Sequence, residues 1–289
     1  MFEYLVHLVI LIAIYIILVT SLNLALGFTG LLNLGHVAFF GIGAYTSALL
    51  VRAGVPFLFA FVVAGLLAAV FGYILVAATR KLKGDYLALT TLGFSFVIYS
   101  ILLNWVSLTR GPLGIPGIPK PSLFGYVIAT NQDYLIFSLV VCVLIVVVLT
   151  KIVHSPFGRL LQAARDDEVG LKVLGKNTFL LKAKAMMISA GCAGIAGSLF
   201  AHYISYIDPS SFLLTEIIFV VTIVIVGGIA SMKGSIVATI LLVLLPEALR
   251  FLSLPSQILG PSRQIIYAVI LIAILLIRPR GLFGRVDLA

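Results

Sequence analysis

The sequence predicts an all-α, polytopic bundle of about eight to ten membrane-crossing helices, and three observations carry that prediction. Of the 289 residues 62% are hydrophobic and only 10% are charged, with a mean hydropathy of +1.24. A soluble domain carries about 25% charged residues, so this chain lacks the polar groups to cover a water-facing surface. The apolar residues fall in runs of about 20, the length a helix rising 1.5 Å per residue needs to cross a hydrocarbon core ~30 Å thick. Lys and Arg gather in the connections between those runs, which is how membrane chains encode orientation. Lipid admits only helices and closed barrels, and no stretch alternates as barrel strands of ~10 residues do.

The runs cover residues 4–26, 31–51, 55–79, 86–108, 134–153, 183–206, 214–230, 235–252 and 264–277, read as one domain over 1–289. The first is expected to be a membrane helix and not a cleaved leader. Glu3 stands where a basic segment belongs, and the apolar run is too long. Arg80, Lys81 and Lys83 follow the third run. Lys151, Arg159, Arg165, Lys172, Lys176, Lys182 and Lys184 lie in or beside the connection 154–182, and Arg278, Arg280 and Arg285 lie in the tail. The excess of basic residues places these three regions, and with them the C-terminus, in the cytoplasm. The loops 109–133 and 207–213 are poor in Lys and Arg and are expected outside. The net charge of +9 therefore belongs to the membrane topology and gives no reason to expect nucleic acid. Cys142 and Cys192 sit inside apolar runs as small hydrophobes, without metal-site spacing.

Two glycine-rich interruptions punctuate the bundle. The first holds Gly27, Gly30, Gly35, Gly41 and Gly43 together with Asn33 and His36; the second is Val226-Gly-Gly-Ile-Ala-Ser-Met-Lys-Gly-Ser235. Two readings fit. Glycine lets helices pack closely, and paired breaks in the two halves also mark an internal repeat around a substrate path. On the second reading Asn33, His36, Gly41, Gly43, Gly227 and Gly228 border the path. A broken first stretch would also change the side of the N-terminus, which the sequence leaves open. The other polar residues within apolar runs are Asn23, Asn104, His202, Glu216, Glu247 and Arg250. A pathway role is the default for such groups, while His202, Glu216 and Arg250 also suit snorkelling toward an interface.

The connection 154–182 reads as one or two short amphipathic helices outside the membrane. Ser155-Pro156 is a helix start, Glu168 and Lys172 are an i,i+4 pair, and Gly175 suits a helix end. Val169 and Val173 share a face flanked by Leu171 and Leu174, and an apolar stripe ringed by charge fits a partner's groove. Gly170-Leu-Lys-Val-Leu-Gly175-Lys176-Asn177 comes close to a phosphate-binding loop. It has Asn177 where a hydroxyl must hold Mg²⁺, and a helix pattern where the loop needs a strand and a glycine nest. No nucleotide site and no catalytic constellation is read in this chain. The Pro- and Gly-dense stretch after Thr109 is expected to form an outer gate or a docking surface.

Several of these segments resemble the branched-chain amino acid importer permeases of the ATP-driven class, in particular the LivM subunit family. The similarity runs through Gly30-Leu-Leu-Asn-Leu-Gly-His-Val-Ala-Phe-Phe-Gly-Ile-Gly-Ala-Tyr45, Gly84-Asp-Tyr-Leu-Ala-Leu-Thr-Thr-Leu-Gly93, Gly111-Pro-Leu-Gly-Ile-Pro-Gly-Ile-Pro119, Ser155-Pro-Phe-Gly-Arg159, Arg165-Asp-Asp-Glu168, Gly227-Gly and Leu245-Pro-Glu247. The resemblance implies a multi-pass permease of the bacterial cytoplasmic membrane, in contact with lipid. Its implied partners are a second related permease, two ATPase subunits that bind ATP and Mg²⁺, and an external substrate-binding protein. It further implies that Arg165, Asp166, Asp167, Glu168, Val169 and Gly175 form the helix that couples to the ATPase, so that this chain binds no cofactor and no metal. The chain is expected to lack the N-terminal extension of some relatives, and Lys233 departs from the family pattern. Similar permeases carry urea or short amides, which leaves the cargo open. A self-sufficient carrier or channel is the rival reading, and it would need a titratable intramembrane cluster that the sparse ionisable residues do not provide.

Overall fold

A computed structural model describes residues 2–82, 84–123, 126–250, 256–278 and 280–284. Lys83 and Arg285 lie outside the described residues, as do the side chains of Glu247 and Arg250. The long helices are α1 (Phe2–Asn23), α2 (His36–Arg52), α3 (Phe57–Ala78), α4 (Gly84–Asn104), α6 (Asn131–His154), α9 (Thr178–Ile204), α10 (Leu214–Gly227), α11 (Met232–Arg250) and α12 (Ser256–Ile277), with short α5 (Val106–Thr109), α7 (Pro156–Asp166) and α8 (Glu168–Val173) between them. Among the described residues six helical stretches are long and apolar enough to cross a membrane: Phe2–Phe28, Phe57–Ala78, Gly84–Asn104, Asn131–His154, Thr178–Ile204 and Pro209–Gly227. Met232–Leu245 and Ile265–Ile274 are shorter apolar helices. The all-α membrane bundle expected from composition is the observed architecture.

Small residues set the centre of the bundle, where α2, α3 and α9 pack on one another. A Cβ built on Gly43 would lie 2.1 Å from the Gly194 carbonyl oxygen, and one on Gly197 would lie 2.0 Å from that of Phe40. Only glycine permits backbones this close, the usual means of holding helices together where lipid removes the hydrophobic drive. Polar side chains stitch the same seam. Ser198 Oγ donates to Ser47 Oγ at 2.7 Å, and Ser47 Oγ lies 2.8 Å from His202 Nε2. His202 Nδ1 lies 2.7 Å from the Pro119 carbonyl, so α9 also holds the 109–133 loop. Gly111, Gly114 and Gly117 in that loop have positive φ. Its short strand β1 (Ile115–Pro116) pairs antiparallel with β4 (Tyr206–Ile207) at the exit of α9, while β2 (Ser122–Leu123) pairs with β3 (Tyr126–Val127). The Pro/Gly stretch thus forms a little regular structure.

The bundle has two ends. At one, Asn131 Nδ2 donates to Glu3 Oε2 at 3.0 Å, setting the N-terminus beside the 109–133 loop. At the other lie the end of α1, the connector 154–182 and the turn 280–284 after α12. The question the sequence left open is answered in these terms: the N-terminus lies at the end opposite the connector. The expected helix 31–51 starts only at His36. Residues 30–35 form a non-helical link, because Asn33 Oδ1 accepts from Gly35 N–H at 3.1 Å and Thr91 Oγ1 receives Leu34 N–H at 3.0 Å. Side chains that satisfy backbone donors in this way compete with helix.

Snorkelling does not describe His202 or Glu216. His202 is fully buried in the seam above, and Glu216 Oε1 accepts from the Tyr15 hydroxyl at 2.5 Å. An ionisable group in an apolar bundle finds a partner before it reaches the interface.

Candidate functional site

The two glycine-rich interruptions meet. At the end of α1 the helix widens into a π-turn, Leu24–Phe28, a feature often found at functional sites. Asn23, at its start, is fully buried and spans the gap to the break between α10 and α11. Its Nδ2 donates to the Ser231 carbonyl at 3.1 Å and to Ser235 Oγ at 2.7 Å, and its Oδ1 accepts from Ala230 N–H at 3.0 Å. All four hydrogen-bonding positions of a buried amide are hard to fill in an apolar surround, and here three of them are filled within one break. Gly27 is obligatory because a Cβ there would meet Asn23 Oδ1 at 2.0 Å and Ala230 N at 2.5 Å. The break itself runs through Gly228 (φ 106°) and Ala230 (φ 60°). Leu282 N–H and Phe283 N–H, in the turn after α12, donate to the Val226 and Gly227 carbonyls at 2.9 and 3.1 Å, satisfying acceptors that the end of α10 leaves open.

The connector reaches this junction. Arg165 Nη1 donates to the Gly27 carbonyl at 2.8 Å, while its guanidinium also pairs with Asp166 at 2.8 Å. Gly30 leaves room for the arginine stem, since a Cβ there would stand 2.9 Å from Arg165 Cγ. Phe28, Gln162, Arg165, Ser231 and Lys233 line a cavity of about 410 Å³ at the same place. Lys233 therefore lines this space together with Gln162 and Arg165 of the connector.

The connector is two helices, and Ser155-Pro156 and Gly175 act as read, while Asp167 adds a cap that the sequence reading did not name. Ser155 Oγ accepts from Gly158 N–H at 3.3 Å to cap α7, with Pro156 in its first turn. Asp167 Oδ1 caps α8 by accepting from Gly170 N–H at 2.9 Å. Gly175, at φ 75°, ends α8: its N–H donates to the Lys172 carbonyl, and Lys176 N–H donates to that of Leu171, the closing pattern expected of a C-terminal glycine. Leu171 is buried, whereas Val169, Val173 and Leu174 are exposed at 64%, 82% and 75%. Glu168 pairs with Lys172 at 2.9 Å, with Lys182 at 2.6 Å and with the Thr178 hydroxyl at 3.1 Å. Partial burial pushes its carboxyl up, but the hydrogen bonds and charges of Lys172 and Lys182 outweigh that and bring it down to about 2.

The remaining sequence candidates sit in the interior. Asn33 is buried, with Nδ2 3.5 Å from Met186 Sδ. His36 Nε2 lies 3.1 Å from both Ser21 Oγ and the Leu18 carbonyl, tying α2 to α1. Gly41 packs under the ring of Phe212. Two buried polar atoms on α2, His36 Nδ1 and the Tyr45 hydroxyl oxygen, have no hydrogen-bond partner among the described residues. Gly227, Gly228 and Arg165 therefore come together at the junction, whereas Gly41, Gly43 and Asn33 lie apart from it in the packed core. The sequence reading named Asn23 only among the polar residues and gave no role to Ser231, Ser235 or Lys182. Asn23 carried a signal, since a buried amide in an apolar run demands partners. Lys182 carried none, because it meets Glu168 across a helix break. Among the described residues no three His, Cys, Asp or Glu side chains gather to hold a metal.

These features define a polytopic helical membrane protein whose broken segments converge beneath an amphipathic connector. A family model described as branched-chain amino acid transport system / permease component matches residues 4–277, and the chain belongs to that family. It is 40% identical over 261 residues to the high-affinity branched-chain amino acid transport system permease protein LivM of Escherichia coli K12, covering 82% of this chain and 61% of that protein. The chain thus spans about three fifths of the length of that relative. It is 26% identical to the probable branched-chain amino acid transport permease protein LivM of Methanocaldococcus jannaschii, over 93% of this chain and 90% of the other. It is 25% identical to the permease protein LivH of the same Escherichia coli system, over 94% and 91% of the two chains. No solved structure matches.

Proposed function

We propose that the chain is the membrane-spanning permease subunit of an ATP-driven importer of branched-chain or other neutral amino acids, working by alternating access. The observation that carries this reading is the Arg165–Gly27 hydrogen bond, because it joins a connector with an unpartnered apolar stripe to the point where both broken segments meet. On this reading the connector end faces the cytoplasm, and Val169, Val173 and Leu174 enter a groove of an ATPase partner that binds the ATP and Mg²⁺. Closure of the ATPases displaces α7 and α8, Arg165 draws the α1 end with it, and the α10–α11 break yields. A coupling element needs two discrete arrangements. Helix ends held by side-chain hydrogen bonds and glycine hinges are suited to that.

The path is proposed to run along α2, where Asn33, His36, Gly41 and Gly43 border it, and to reach the junction at Gly227 and Gly228. Support comes from His36 Nδ1 and the Tyr45 hydroxyl, which have no partner among the described residues, since a buried polar atom without a partner calls for an explanation. The names of the relatives support branched-chain amino acids as cargo and a related permease of the LivH kind as companion chain, and an external binding protein is proposed with them as the source of substrate. The test is affinity purification of the chain with mass spectrometric identification of its companions, together with uptake by E168K/V169E. Recovery of a second permease and ATPases, with lost uptake in the variant, is expected. Full transport by a chain that purifies alone would overturn the reading.

A further inference from the structure

We propose that the cleft between the α3–α4 turn and the start of α9 binds the phosphate of an anionic phospholipid headgroup. The cleft measures about 600 Å³ and brings five basic side chains, Arg80, Lys81, Lys172, Lys176 and Lys182, around the single carboxylate of Glu168. Glu168 is already engaged by Lys172 and Lys182 at 2.9 and 2.6 Å. Arg80, Lys81 and Lys176 are therefore left without a carboxylate partner among the described residues. Asn177, which caps α9 by accepting Leu180 N–H at 3.1 Å, also lines the cleft, so the positive end of a 27-residue helix adds to the field.

The other wall decides which anion fits. Val76, Leu87 and Phe179 line the same space and belong to α3, α4 and α9, three membrane-length helices that end or begin here. Tyr73 meets Phe179 edge-on with ring centres 6.4 Å apart. Tyr86, Leu89 and Leu180 are exposed beside them. Aromatic side chains at helix ends sit at headgroup depth, and basic pockets between membrane helices on the cytoplasmic side hold acidic headgroups. A soluble anion or an acidic peptide would use the cations but leave the apolar wall bare. A phospholipid uses both, with phosphate among the lysines and acyl chains along α4.

This inference stands apart from the transport reading, because a chain without partners would still bind the lipid. The test reconstitutes the full chain in phosphatidylcholine nanodiscs with increasing phosphatidylglycerol. The melting midpoint is followed, and retained lipid is counted by native mass spectrometry. Wild type is expected to gain stability with phosphatidylglycerol and to keep it bound. R80Q/K81Q/K176Q is expected to lose at least about tenfold in apparent affinity, since each basic residue near an acidic surface contributes ~5-fold. K151Q/K184Q/R278Q, which removes equal charge at the same end of the bundle, is expected to retain the lipid, and R80Q and K176Q singly serve should the triple variant fail to fold. Three results would each overturn the proposal. They are equal retention by the cleft variant, displacement of the lipid by millimolar inorganic phosphate, and loss of a co-purifying protein from the cleft variant with lipid retention unchanged.

Discussion

Arg165 Nη1 and the Gly27 carbonyl oxygen, 2.8 Å apart and separated by 138 residues of chain, join the connector to the end of α1. The geometry is selective. Gly30 is open enough for the arginine stem, and Asp166 holds the other side of the guanidinium. R165A leaves both helices of the connector capped, so the protein is expected to fold while uptake falls about tenfold or more, because a hydrogen bond from a charged donor is worth ~1.5–3 kcal/mol. R165K has no planar fork with which to reach Gly27 and Asp166 at once and should rescue little. Wild-type uptake by R165A, measured with labelled amino acid in cells, would remove the contact from the coupling route.

Asn23 makes a stability prediction distinct from that transport prediction. Replacing it with Ala strands the Ala230 N–H and frees the Ser231 carbonyl inside an apolar junction. Each buried orphan costs ~1–3 kcal/mol, so N23A should melt several degrees below wild type in detergent, with the turn 280–284 more open to protease. N23D keeps the acceptor for Ala230 but faces the Ser231 carbonyl with a charge, and should melt lower still. A melting curve unchanged by N23A would mean that the two breaks are held together by packing alone.

Glu168 fixes a pH dependence. Its carboxyl, at about 2 in the folded protein against an ordinary 4.5, favours the folded arrangement when ionised. That stabilisation is complete above about 4.5 and is lost as pH falls through about 2. Hydrogen-exchange protection of α8 should therefore be flat between pH 5 and 8. E168Q, which breaks both lysine pairs at every pH, should lower that protection throughout the range. Protection that rises or falls steeply between pH 5 and 8 in the wild type would show that another group holds α8.

Much of this was legible because lipid simplifies the problem. A 22-residue apolar run has little choice but to be a helix, and Ser155-Pro156 and Gly175 use capping rules that act within a few residues. What escaped the sequence was non-local. Whether Gly43 marks a hinge or a contact depends on finding Gly194 opposite it. His202 read as a candidate for snorkelling because Ser47 and Pro119 lie far from it in the chain. The pairing of Asn23 with the second break joins residues more than 200 positions apart, which no spacing rule reaches.

Gly43 and Gly93 separate packing from hinge. A methyl at Gly43 would meet the Gly194 backbone at 2.1 Å, and backbone cannot rotate away, whereas nothing lies within 4 Å of one at Gly93. G43A is expected to lose most monodisperse protein on size exclusion. G93A should behave as wild type or gain up to about 1 kcal/mol, as alanine for glycine does within a helix. A well-folded G43A with normal uptake would argue that α2 and α9 can slide apart, and would favour the hinge.

Tyr45 offers the sharpest test of where the path runs. Its hydroxyl oxygen is buried without a partner among the described residues, while its ring packs against Phe212 with centres 5.9 Å apart. Y45F therefore keeps the packing and removes no hydrogen bond made in this structure, so stability should hold or rise slightly. If the hydroxyl meets the cargo during transport, uptake should fall ~5- to 10-fold, the value of one neutral hydrogen bond. The separation of the two readouts is what matters. A fall in uptake at constant melting temperature places Tyr45 on the path, since a merely structural hydroxyl would move both or neither. Unchanged uptake would take α2 off the path at this level and leave the α1 and α10–α11 junction as the place to look.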